Sequence, residues 1–514
     1  MKSLRTLLGA TAIASVTATT GIAQDLSIGI QSQTAGPLDP HVSTATGDKI
    51  VFAMLFNGLV RFKPGSMNPG DIEPDLAESW TVSDDGLVWT FTLRDNVTFH
   101  GDFGTVTAED VVFSLQRAAD PDISSVSSDY AAFEMIEALD SETIRITLSE
   151  PMPSVLGVLA NYHGGMIVSK AAVEALGEGF NARPIGTGPF AFAEMHQGEF
   201  IRLVANEDYF RGAPKLESVT YRFVPSASGR ELAFQNGELD LFTGTREDSW
   251  IERMRAAGTQ IDVIQPSQMR TLHLNRNIEP LDDIRVRQAI AHAVNRAELV
   301  AFVGPQVARE AVAPVPNGYL GHAEETEVLP HDLDRARSLL AEAGYPDGIT
   351  IPVAITESAS LNLSMQVLQA QLAQAGITVE LEVMEHRSWH SAIRDDVSAL
   401  VIYGAARFPV ADTYLTQFYH SDASVGKPTA VTNFSHCDVA DAQITAARSE
   451  TDPAEQLRLW EEAQKLIVED VCGVPLFELL DVWARSENLD FGYELEGAIW
   501  GGPAIDELTT LTSN

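Results

Sequence analysis

The sequence is poor in cysteine. Among 514 residues only Cys437 and Cys472 are cysteines, and no CxxC motif is present. A lipid-anchored protein needs a cysteine at its cleavage site near the N-terminus, so this type of anchor is not expected. In an oxidising compartment the two residues could form a disulfide or remain buried thiols, and the sequence leaves both alternatives open.

Positive charge is also scarce, with 34 Lys and Arg against 72 Asp and Glu and a formal net charge of -38. Such a surface repels nucleic acid and anionic lipid and favours solubility. We therefore expect no nucleic-acid partner. A buried pocket can carry its own charge pattern, so the net charge does not describe a ligand.

Apolar runs long enough to span a membrane are missing after the N-terminus, because no later stretch reaches the roughly 20 residues that a span needs. At the N-terminus, Lys2 and Arg5 precede an apolar run over residues 7–16. This pattern, followed by Gly-Ile-Ala at 21–23, predicts a secretory signal peptide over residues 1–23. The mature chain is expected to be secreted and soluble.

Catalytic motifs are absent too, since the sequence contains no HExxH, GxSxG, P-loop, GxGxxG or EF-hand pattern. His386 and His390 have the i, i+4 spacing of a helical metal pair, but no third ligand is evident nearby. No pair of carboxylates stands out as general acid and base. The sequence therefore predicts neither an enzyme nor a cofactor or metal site.

A strand, a loop and a helix are predicted within the segment 76–117. Residues 87–93 alternate apolar and polar side chains, as a half-buried strand does. Thr107 and Asp110 suit a capping box, and apolar residues then recur at helical spacing. The segment contains no nucleophile or metal-ligand set.

Three stretches of the sequence resemble the signature of one family. They are residues 76–117, which include AESW and AEDVVFS, residues 183–190 (RPIGTGPF) and residues 282–296 (DDIRVRQAIAHAVNR). Together they resemble the bacterial extracellular solute-binding proteins of family 5, the dipeptide, oligopeptide and nickel receptors of ABC importers. The resemblance implies an α/β fold of the periplasmic binding protein type 2 class, with two hinged lobes and an additional small domain.

The resemblance also implies where the domains lie. The implied domains are a discontinuous domain I (24–63, 183–264 and 484–514), a small domain II (64–182) and a second lobe, domain III (265–483). The implied hinges lie near residues 265–270 and 481–485.

In the second half of the sequence, predicted helices that end at a glycine alternate with predicted strands. This order is typical of βαβ units, in which helices cover the faces of a sheet. Residues 441–471 are helical in pattern. Residues 474–483 then predict a strand, which by the resemblance crosses back to the first domain. Arg285, Arg287 and Arg296 are expected to face away from the apolar stripe of their helix.

In the family, a segment after a Leu-Asp-Pro loop and a segment after a strand of the second lobe enclose the ligand. The residues that carry these positions, with neighbouring aromatic and charged candidates, are Thr44, Ala45, Thr46, Trp389, Arg394, Tyr403, Gly404, Ala405, Ala406, Arg407, Phe408 and Asp412. Trp389 could instead be a core residue, and Arg407 a surface residue.

One departure from the family concerns the ligand. Peptide receptors of the family place an aspartate after this strand, where it pairs with the α-ammonium group of the ligand. Here that position falls on Ala406 or Arg407, and Asp412 is the substitute nearby. An Arg407 that faces the cleft would favour a carboxylate. Free-amino dipeptides are therefore expected to bind weakly.

The implied function is the periplasmic substrate-binding component of an ABC importer. The monomeric receptor would capture a peptide or peptide-like solute and deliver it to the permease and ATP-binding subunits. The alternatives are a receptor for a nickel chelate, with His420 near the ligand, for an opine-like acid or for an oligosaccharide. A periplasmic enzyme or a chemoreceptor-coupled sensor is the alternative of a different class.

Overall fold

The computed structural model describes residues 24–43, 46–124, 126–160, 164–265, 268–405, 407–426, 432–499 and 501–512. The predicted signal peptide, residues 1–23, lies outside them. In this described part of the chain, no helix combines the length and the apolar character that crossing a membrane requires.

The strands are β1 (Asp25–Ile30), β2 (Val60–Phe62), β3 (Ile72–Pro74), β4 (Ala77–Val82), β5 (Val88–Leu93), β6 (Phe133–Ala138), β7 (Thr143–Leu148), β8 (Phe190–His196), β9 (Phe200–Ala205), β10 (Ser218–Phe223), β11 (Leu241–Thr243), β12 (Gln260–Ile264), β13 (Met269–Leu274), β14 (Ala308–Glu310), β15 (Ile349–Thr356), β16 (Ile377–Met384), β17 (Leu400–Ala405), β18 (Gly473–Leu479), β19 (Asp481–Arg485), β20 (Leu489–Asp490) and β21 (Thr510–Leu511).

The α-helices are α1 (Lys49–Leu55), α2 (Ala108–Ala119), α3 (Val155–Leu159), α4 (Lys170–Leu176), α5 (Ala227–Gln235), α6 (Asp248–Ala256), α7 (Ile284–Ala293), α8 (Arg296–Val303), α9 (Leu333–Glu342), α10 (Ala359–Gln374), α11 (His386–Arg394), α12 (Ala411–Tyr419), α13 (Asp441–Ser449) and α14 (Pro453–Glu469). Short 3-10 helices cover Thr46–Asp48, Pro69–Asp71, Ser127–Tyr130, Gly177–Ala182 and Ser421–Ala423.

The first sheet has seven strands in the order β12-β19-β11-β1-β10-β9-β8. β1 runs parallel to both β10 and β11, so the carboxyl ends of these three strands share one edge. Leu26 and Ile28 of β1 are fully buried and pack in one core with Phe52 and Phe56 from the region of α1. Apolar side chains at alternate positions thus hold this sheet against its covering helix.

The second sheet has four strands in the order β14-β18-β13-β17, and all its pairings are antiparallel. Helices α7, α9 and α10 contribute to its core through Ile290, Leu339 and Leu368. Every residue of β13 is buried, because it lies between two strands under covering helices. The parallel pair β15-β16 joins the same core through Ile351 and Val379.

A smaller antiparallel sheet, β4-β5-β7-β6, is built from residues 77–148 and is covered by α2. The hydroxyl of Thr107 accepts a hydrogen bond from the Asp110 amide, and the Asp110 carboxylate accepts one from the Thr107 amide. The predicted capping box is therefore confirmed. Leu115 on the apolar face of α2 packs with Phe91 of β5.

A buried ion pair joins α2 to the loop that follows β1. Both terminal nitrogens of Arg117 donate to the carboxylate of Asp39, which is 1 % exposed. Arg117 Nη1 also lies 2.9 Å from Nδ1 of His41, whose Nε2 lies 3.0 Å from the carbonyl oxygen of Met166. Burial is the main reason why the pKa of His41 falls to about 4. The imidazole is therefore neutral near pH 7 and fixed from both sides.

The chain passes between the first and second sheets twice, from β12 to β13 and from β18 to β19. Residues 474–483 do return to the first sheet, but as two strands rather than one, because β18 and β19 belong to different sheets and Leu480 alone separates them. Residues 441–471 form two helices rather than one, since Asp452 caps the N-terminus of α14 and Pro453 opens it.

The expectation that Arg287 and Arg296 face away from the core is also wrong, because both are buried, whereas Arg285 is exposed. In place of water, backbone carbonyl oxygens accept the hydrogen bonds of their guanidinium groups. Those oxygens belong to Leu281, Asp282 and Asp470 for Arg287, and to Leu329 and Pro475 for Arg296.

Cys437 and Cys472 are joined by a disulfide, which resolves the alternative that the sequence left open. The bond ties the loop before α13 to the residue before β18. Both cysteines are fully buried in a core that also contains Trp460 of α14.

Removal of this disulfide should lower the stability of the second lobe. Closing a loop across a sequence separation of 35 restricts the unfolded chain, so the double variant Cys437→Ser, Cys472→Ser should lose roughly 3 to 4 kcal/mol of unfolding free energy. Urea titrations with and without a reductant measure the loss. The reductant should shift the midpoint of the parent only, and an unchanged parent midpoint would contradict the expectation.

Candidate ligand-binding site

The edges of the two sheets meet where the chain crosses between them. β1 and β11 end at Ile30 and Thr243, and the antiparallel β19 begins at Asp481 beside them. On the other side, Met269 at the start of β13 pairs with Ala405 at the end of β17. Ligands of open α/β sheets bind outside the carboxyl ends of the strands, so this meeting of edges is the candidate site.

Arg270 on β13 is a buried cation at this edge. It is 4 % exposed, and within the described residues its side chain forms no hydrogen bond and no ion pair. Its Nε is buried without an acceptor. Burial, and then the nearby charge of Arg246, lower the pKa of Arg270 to about 10. A buried charge without a partner costs several kcal/mol, and an anion bound at this edge would reduce that cost.

Gly404 makes room for this guanidinium. It pairs directly with Arg270 across the β13-β17 ladder, and a Cβ at this position would lie 1.4 Å from Nη1 of Arg270. Any other residue would displace the side chain. The position of the Arg270 head group therefore depends on the absence of a side chain on the neighbouring strand.

Other cations surround Arg270. Lys49 begins α1, and burial together with the charge of Arg407 lowers its pKa to about 8. Arg246 lies in the loop after β11 and forms an ion pair with Asp481. Arg246 thus acts on Arg270, and Arg407 acts on Lys49, so two pairs of positive side chains lie at this region although the whole chain carries a net charge of -38. The arrangement favours an anionic group in the cleft.

The segment after β17 is held in place by contacts on both sides. The Arg407 amide donates to the Tyr319 hydroxyl at 3.1 Å, and that hydroxyl donates to the Arg407 carbonyl at 2.8 Å. The Arg407 guanidinium lies over the ring of Phe418, 5.1 Å from its centroid. Its Nε donates to the side-chain carbonyl oxygen of Gln417, and its charge contributes to lowering the pKa of Lys49.

Phe408 contacts the small sheet domain. Its ring lies 5.7 Å from that of Phe62, and a Cβ on Gly157 in α3 would come within 1.9 Å of its Cζ. Phe408 therefore fills a space left open by a glycine, and the segment after β17 is in contact with β2 and α3.

The other predicted site residues fall into three groups. Thr44, Ala45 and Ala406 lie outside the described residues, and Thr46 begins a short 3-10 helix that leads to Lys49. Tyr403, Gly404, Ala405, Arg407 and Phe408 lie at the candidate site. Trp389, Arg394 and Asp412 have other surroundings.

These three residues differ in burial and partners. Trp389 is buried, donates to the carbonyl oxygen of Ala354 and stacks on Tyr403 with ring centroids 6.2 Å apart. Arg394 is exposed at the end of α11. Asp412 is buried and lies 3.5 Å from Nε of Arg448, and burial is the main cause that raises its pKa.

Sequence reasoning did not identify Arg270, Lys49 and Arg246 as site residues. Arg270 was noticed only as the end of a connecting segment. The sequence did contain an indication of its role. Arg270 is the one permanently charged residue in the strand Met-Arg-Thr-Leu-His-Leu, and every residue of this strand is buried. A charged residue in such a strand requires a partner, and none was evident nearby in the sequence.

In the described part of the chain, no group of three or more His, Cys, Asp or Glu side chains is placed to hold an ion. The rings of His386 and His390 lie 4.6 Å apart at the start of α11. His420 uses its two ring nitrogens on the Asp422 amide and the Thr445 hydroxyl. His386 and His420 thus have hydrogen-bond partners, whereas Nδ1 of His390 is buried without one among the described residues.

Several known proteins are similar to this chain over most of its length. The di/tripeptide-binding protein 2 of Pseudomonas aeruginosa is 30% identical over 473 residues, covering 86% of this chain and 87% of that protein. The glutathione-binding protein GsiB of Salmonella typhimurium is 30% identical over 465 residues, covering 88% of each.

Solved structures show the same fold. The binding protein MoaA of A. tumefaciens R10, in complex with mannopinic acid, is 47% identical with a TM-score of 0.83, covering 96% of this chain and 100% of that one. DppA of Helicobacter pylori, in complex with the peptide STSA, is 28% identical with a TM-score of 0.79, covering 95% and 98%. Residues 71–426 match the sequence model of the family described as bacterial extracellular solute-binding proteins, family 5 Middle. The chain therefore belongs to family 5 of the bacterial extracellular solute-binding proteins.

Proposed function

We propose that the chain is the periplasmic receptor of an ABC importer for a small amino-acid-like or peptide-like solute that carries a carboxylate. The solute is held between a first lobe (24–63, 183–264 and 484–514) and a second lobe (265–483), with residues 64–182 as the small domain. The observation that carries the proposal is Arg270, a buried guanidinium without an ion pair in the described part of the chain.

The cleft offers less to a free ammonium group. Asp412, the nearest substitute for the aspartate of peptide receptors, already faces Arg448, and Ala406 and Arg407 supply no anion. Lys49 and Arg407 would repel a cation. We therefore infer that a free α-amino group is not what the cleft recognises. The similarity to a mannopinic acid-binding protein supports an acid with a substituted amine.

The test is mass spectrometry of the solute released from purified protein, followed by calorimetry with a defined panel. The panel contains mannopinic acid, glutathione, Ala-Glu with a free and an acetylated amine, and the amide of each acid. We expect acids to bind and their amides to bind about 100-fold more weakly, because an unpaired Arg270 remains buried in the amide complexes. Tight binding of free Ala-Glu that acetylation abolishes and amidation does not change would overturn the proposal.

Affinity for an acidic solute should decrease as the pH rises through about 8, where Lys49 loses its proton in the empty protein. A bound anion raises the pKa of Lys49, so binding takes up a proton and the association constant falls by up to about tenfold per pH unit above 8. Calorimetry across this range in two buffers of different ionisation enthalpy measures both effects. The variant Lys49→Gln should bind more weakly at pH 7 and lose the slope, and a retained slope would contradict the assignment.

A further inference from the structure

The last part of the chain lies over one of the two crossings between the first and second sheets. Residues 496–499 and 501–512, which we call the strap, begin beside Gln265, the residue directly after β12. The Ala498 amide donates to the Gln265 carbonyl oxygen at 2.8 Å, and Gly497 forms an isolated β-bridge with the same residue. A Cβ on Gly497 would lie 2.6 Å from that carbonyl oxygen, so this close approach requires a glycine. The strap thus covers the point where the chain leaves the first sheet.

The strap is held at both ends and in its middle. The Gly497 amide donates to the carbonyl oxygen of Gly65, in the loop between β2 and β3, at 2.8 Å. At the other end, Leu511 of β21 pairs with Leu489 of β20. Between these ends, Ile505 is fully buried in the core of the first sheet. Backbone contacts and apolar burial therefore keep the strap in place.

Asp506 lies in the strap and is a buried carboxyl group with one oxygen left unpaired. It is 6 % exposed, and its Oδ1 accepts a hydrogen bond from the Leu508 amide at 2.9 Å. Its Oδ2 is buried and has no hydrogen-bond partner among the described residues. The next residue, Glu507, likewise has a buried Oε2 without a partner there, and its Oε1 lies 3.9 Å from Arg61. Two adjacent carboxyl groups are thus incompletely satisfied in one buried place.

The arginines near Asp506 are engaged with other carboxylates. Arg61 of β2 donates to Glu73 at 2.8 Å, and Arg211 pairs with Asp75 at 3.1 Å. Neither forms an ion pair with Asp506 in the part of the chain that the structure describes. The charged and titratable groups around Asp506 are Glu507 and Tyr493 from its own end of the chain, Arg61 and Lys63 from β2 and the residue after it, Glu73 and Asp75 from β3 and the residue after it, and Tyr209 and Arg211 from the loop after β9.

A cavity of about 60 Å³ lies between Asp506 and the region of β2. Arg61, Asp75 and Tyr209 also line it, and one water molecule needs only about 10–15 Å³. The cavity therefore has room for water beside the carboxyl group. An ionised carboxylate requires such hydration when no cation is paired with it, whereas the protonated group does not.

Protonation of Asp506 removes the unfavourable charge from this buried place. A carboxylate that is buried without a cation is costly, and the neighbouring carboxylate of Glu507 adds repulsion. Burial, and then the charge of Glu507, raise the pKa of Asp506 to about 7, and the charges of Arg61 and Arg211 oppose this rise only in part. Near neutral pH, a small change in pH therefore changes the charge of the strap.

We propose that the strap is a pH-sensitive clamp over the crossing at Gln265. With Asp506 protonated, the strap stays in contact with the crossing. When Asp506 ionises, its carboxylate requires water and the strap opens more often. The clamp acts through contacts within the protein, so this inference does not depend on the identity of the solute. Its consequence is that one connection between the two sheets is held more firmly in acidic surroundings than at mildly alkaline pH.

Hydrogen exchange of the strap amides in the solute-free protein tests the inference. In the opened strap Asp506 is exposed to water and its pKa returns to the usual value of about 4, so opening releases a proton. The opening constant should therefore rise by up to about tenfold per pH unit between pH 5 and 7 and level off above pH 7. This amounts to roughly 50- to 100-fold between pH 5 and 8, after each rate is corrected for the intrinsic exchange rate.

Two variants and one control assign the effect. Asp506→Asn keeps the oxygen that accepts from Leu508 but cannot ionise, so its strap should open equally at all these pH values. Glu507→Gln removes the neighbouring charge and should lower the pH at which the rise levels off. The matched control is Asp490→Asn, which removes an exposed carboxylate from β20, the strand that pairs with the strap. It should keep the pH dependence of the parent.

A parent strap with the same opening constant at pH 5 and pH 8 would overturn the inference, and so would an Asp506→Asn variant that keeps the dependence of the parent. If Asp506→Asn does not fold, Glu507→Gln decides the matter, because an unchanged pH profile in that variant would exclude a role for the buried pair. None of these outcomes bears on the proposed function, which is tested with solutes.

Discussion

Replacement of Arg270 by methionine should weaken the binding of an acidic solute about a thousandfold, or about 4 kcal/mol, while leaving the empty protein at least as stable as the parent. Binding is lost because the carboxylate of the solute loses its buried partner. Stability is retained because an uncompensated buried charge is replaced by an apolar side chain of similar volume. Calorimetry and urea denaturation of the solute-free protein measure the two effects.

Two further variants test this expectation. Arg285→Gln removes an exposed arginine that is paired with Asp283 and should leave both quantities unchanged. Gly404→Ala keeps the guanidinium but pushes it aside, because the added Cβ would overlap Nη1 of Arg270, so affinity should fall here too. An Arg270→Met variant that binds acids as well as the parent, or that fails to fold, would contradict the role assigned to this residue.

The second large effect is expected at the ion pair between Asp39 and Arg117. The variant Arg117→Ala leaves the carboxylate of Asp39 buried without a cation, which should lower the unfolding free energy by about 3 to 5 kcal/mol. The loss should appear as an earlier midpoint in urea. Because Asp39 lies in the loop before residues 44–46, which we propose contact the solute, calorimetry should show a lower solute affinity as well.

A control for this variant is available in the same small domain. Arg145 pairs with Glu137 at 3.4 Å, with side chains that are 42% and 37% accessible, so Arg145→Ala should cost under about 1 kcal/mol. The double variant Asp39→Ala, Arg117→Ala should lose less than the sum of the two single losses, because no unpaired charge remains. Equal losses for Arg117→Ala and Arg145→Ala would show that burial does not strengthen the inner pair.

The sequence predicted elements whose cause is local. The Thr107–Asp110 capping box and the strand β5 were both confirmed, because short patterns of side chains determine them. The resemblance to the family predicted the α/β fold and brought the segment after β17 to the candidate site. Such features require no knowledge of which distant residues meet.

Features that depend on distant contacts could not be predicted in this way. Arg270 and Gly404 are separated by more than a hundred residues, and only the register of β13 against β17 brings them together. Arg287 and Arg296 were expected to face solvent, because the sequence does not reveal which carbonyl groups surround a guanidinium. The disulfide likewise depended on the folded positions of Cys437 and Cys472.

The short connection between β18 and β19 has a mechanical consequence. Leu480 is the one residue between the two sheets, and its amide donates to the carbonyl oxygen of Val307 at 2.9 Å. A link of one residue cannot lengthen, so the sheets cannot slide apart along this connection. Any opening between the two sheets is therefore a rotation about an axis that passes near Leu480. The displacement of an atom in this rotation increases with its distance from that axis. Arg407 and Phe408 follow the far end of β17, so they would be displaced more than residues near Leu480.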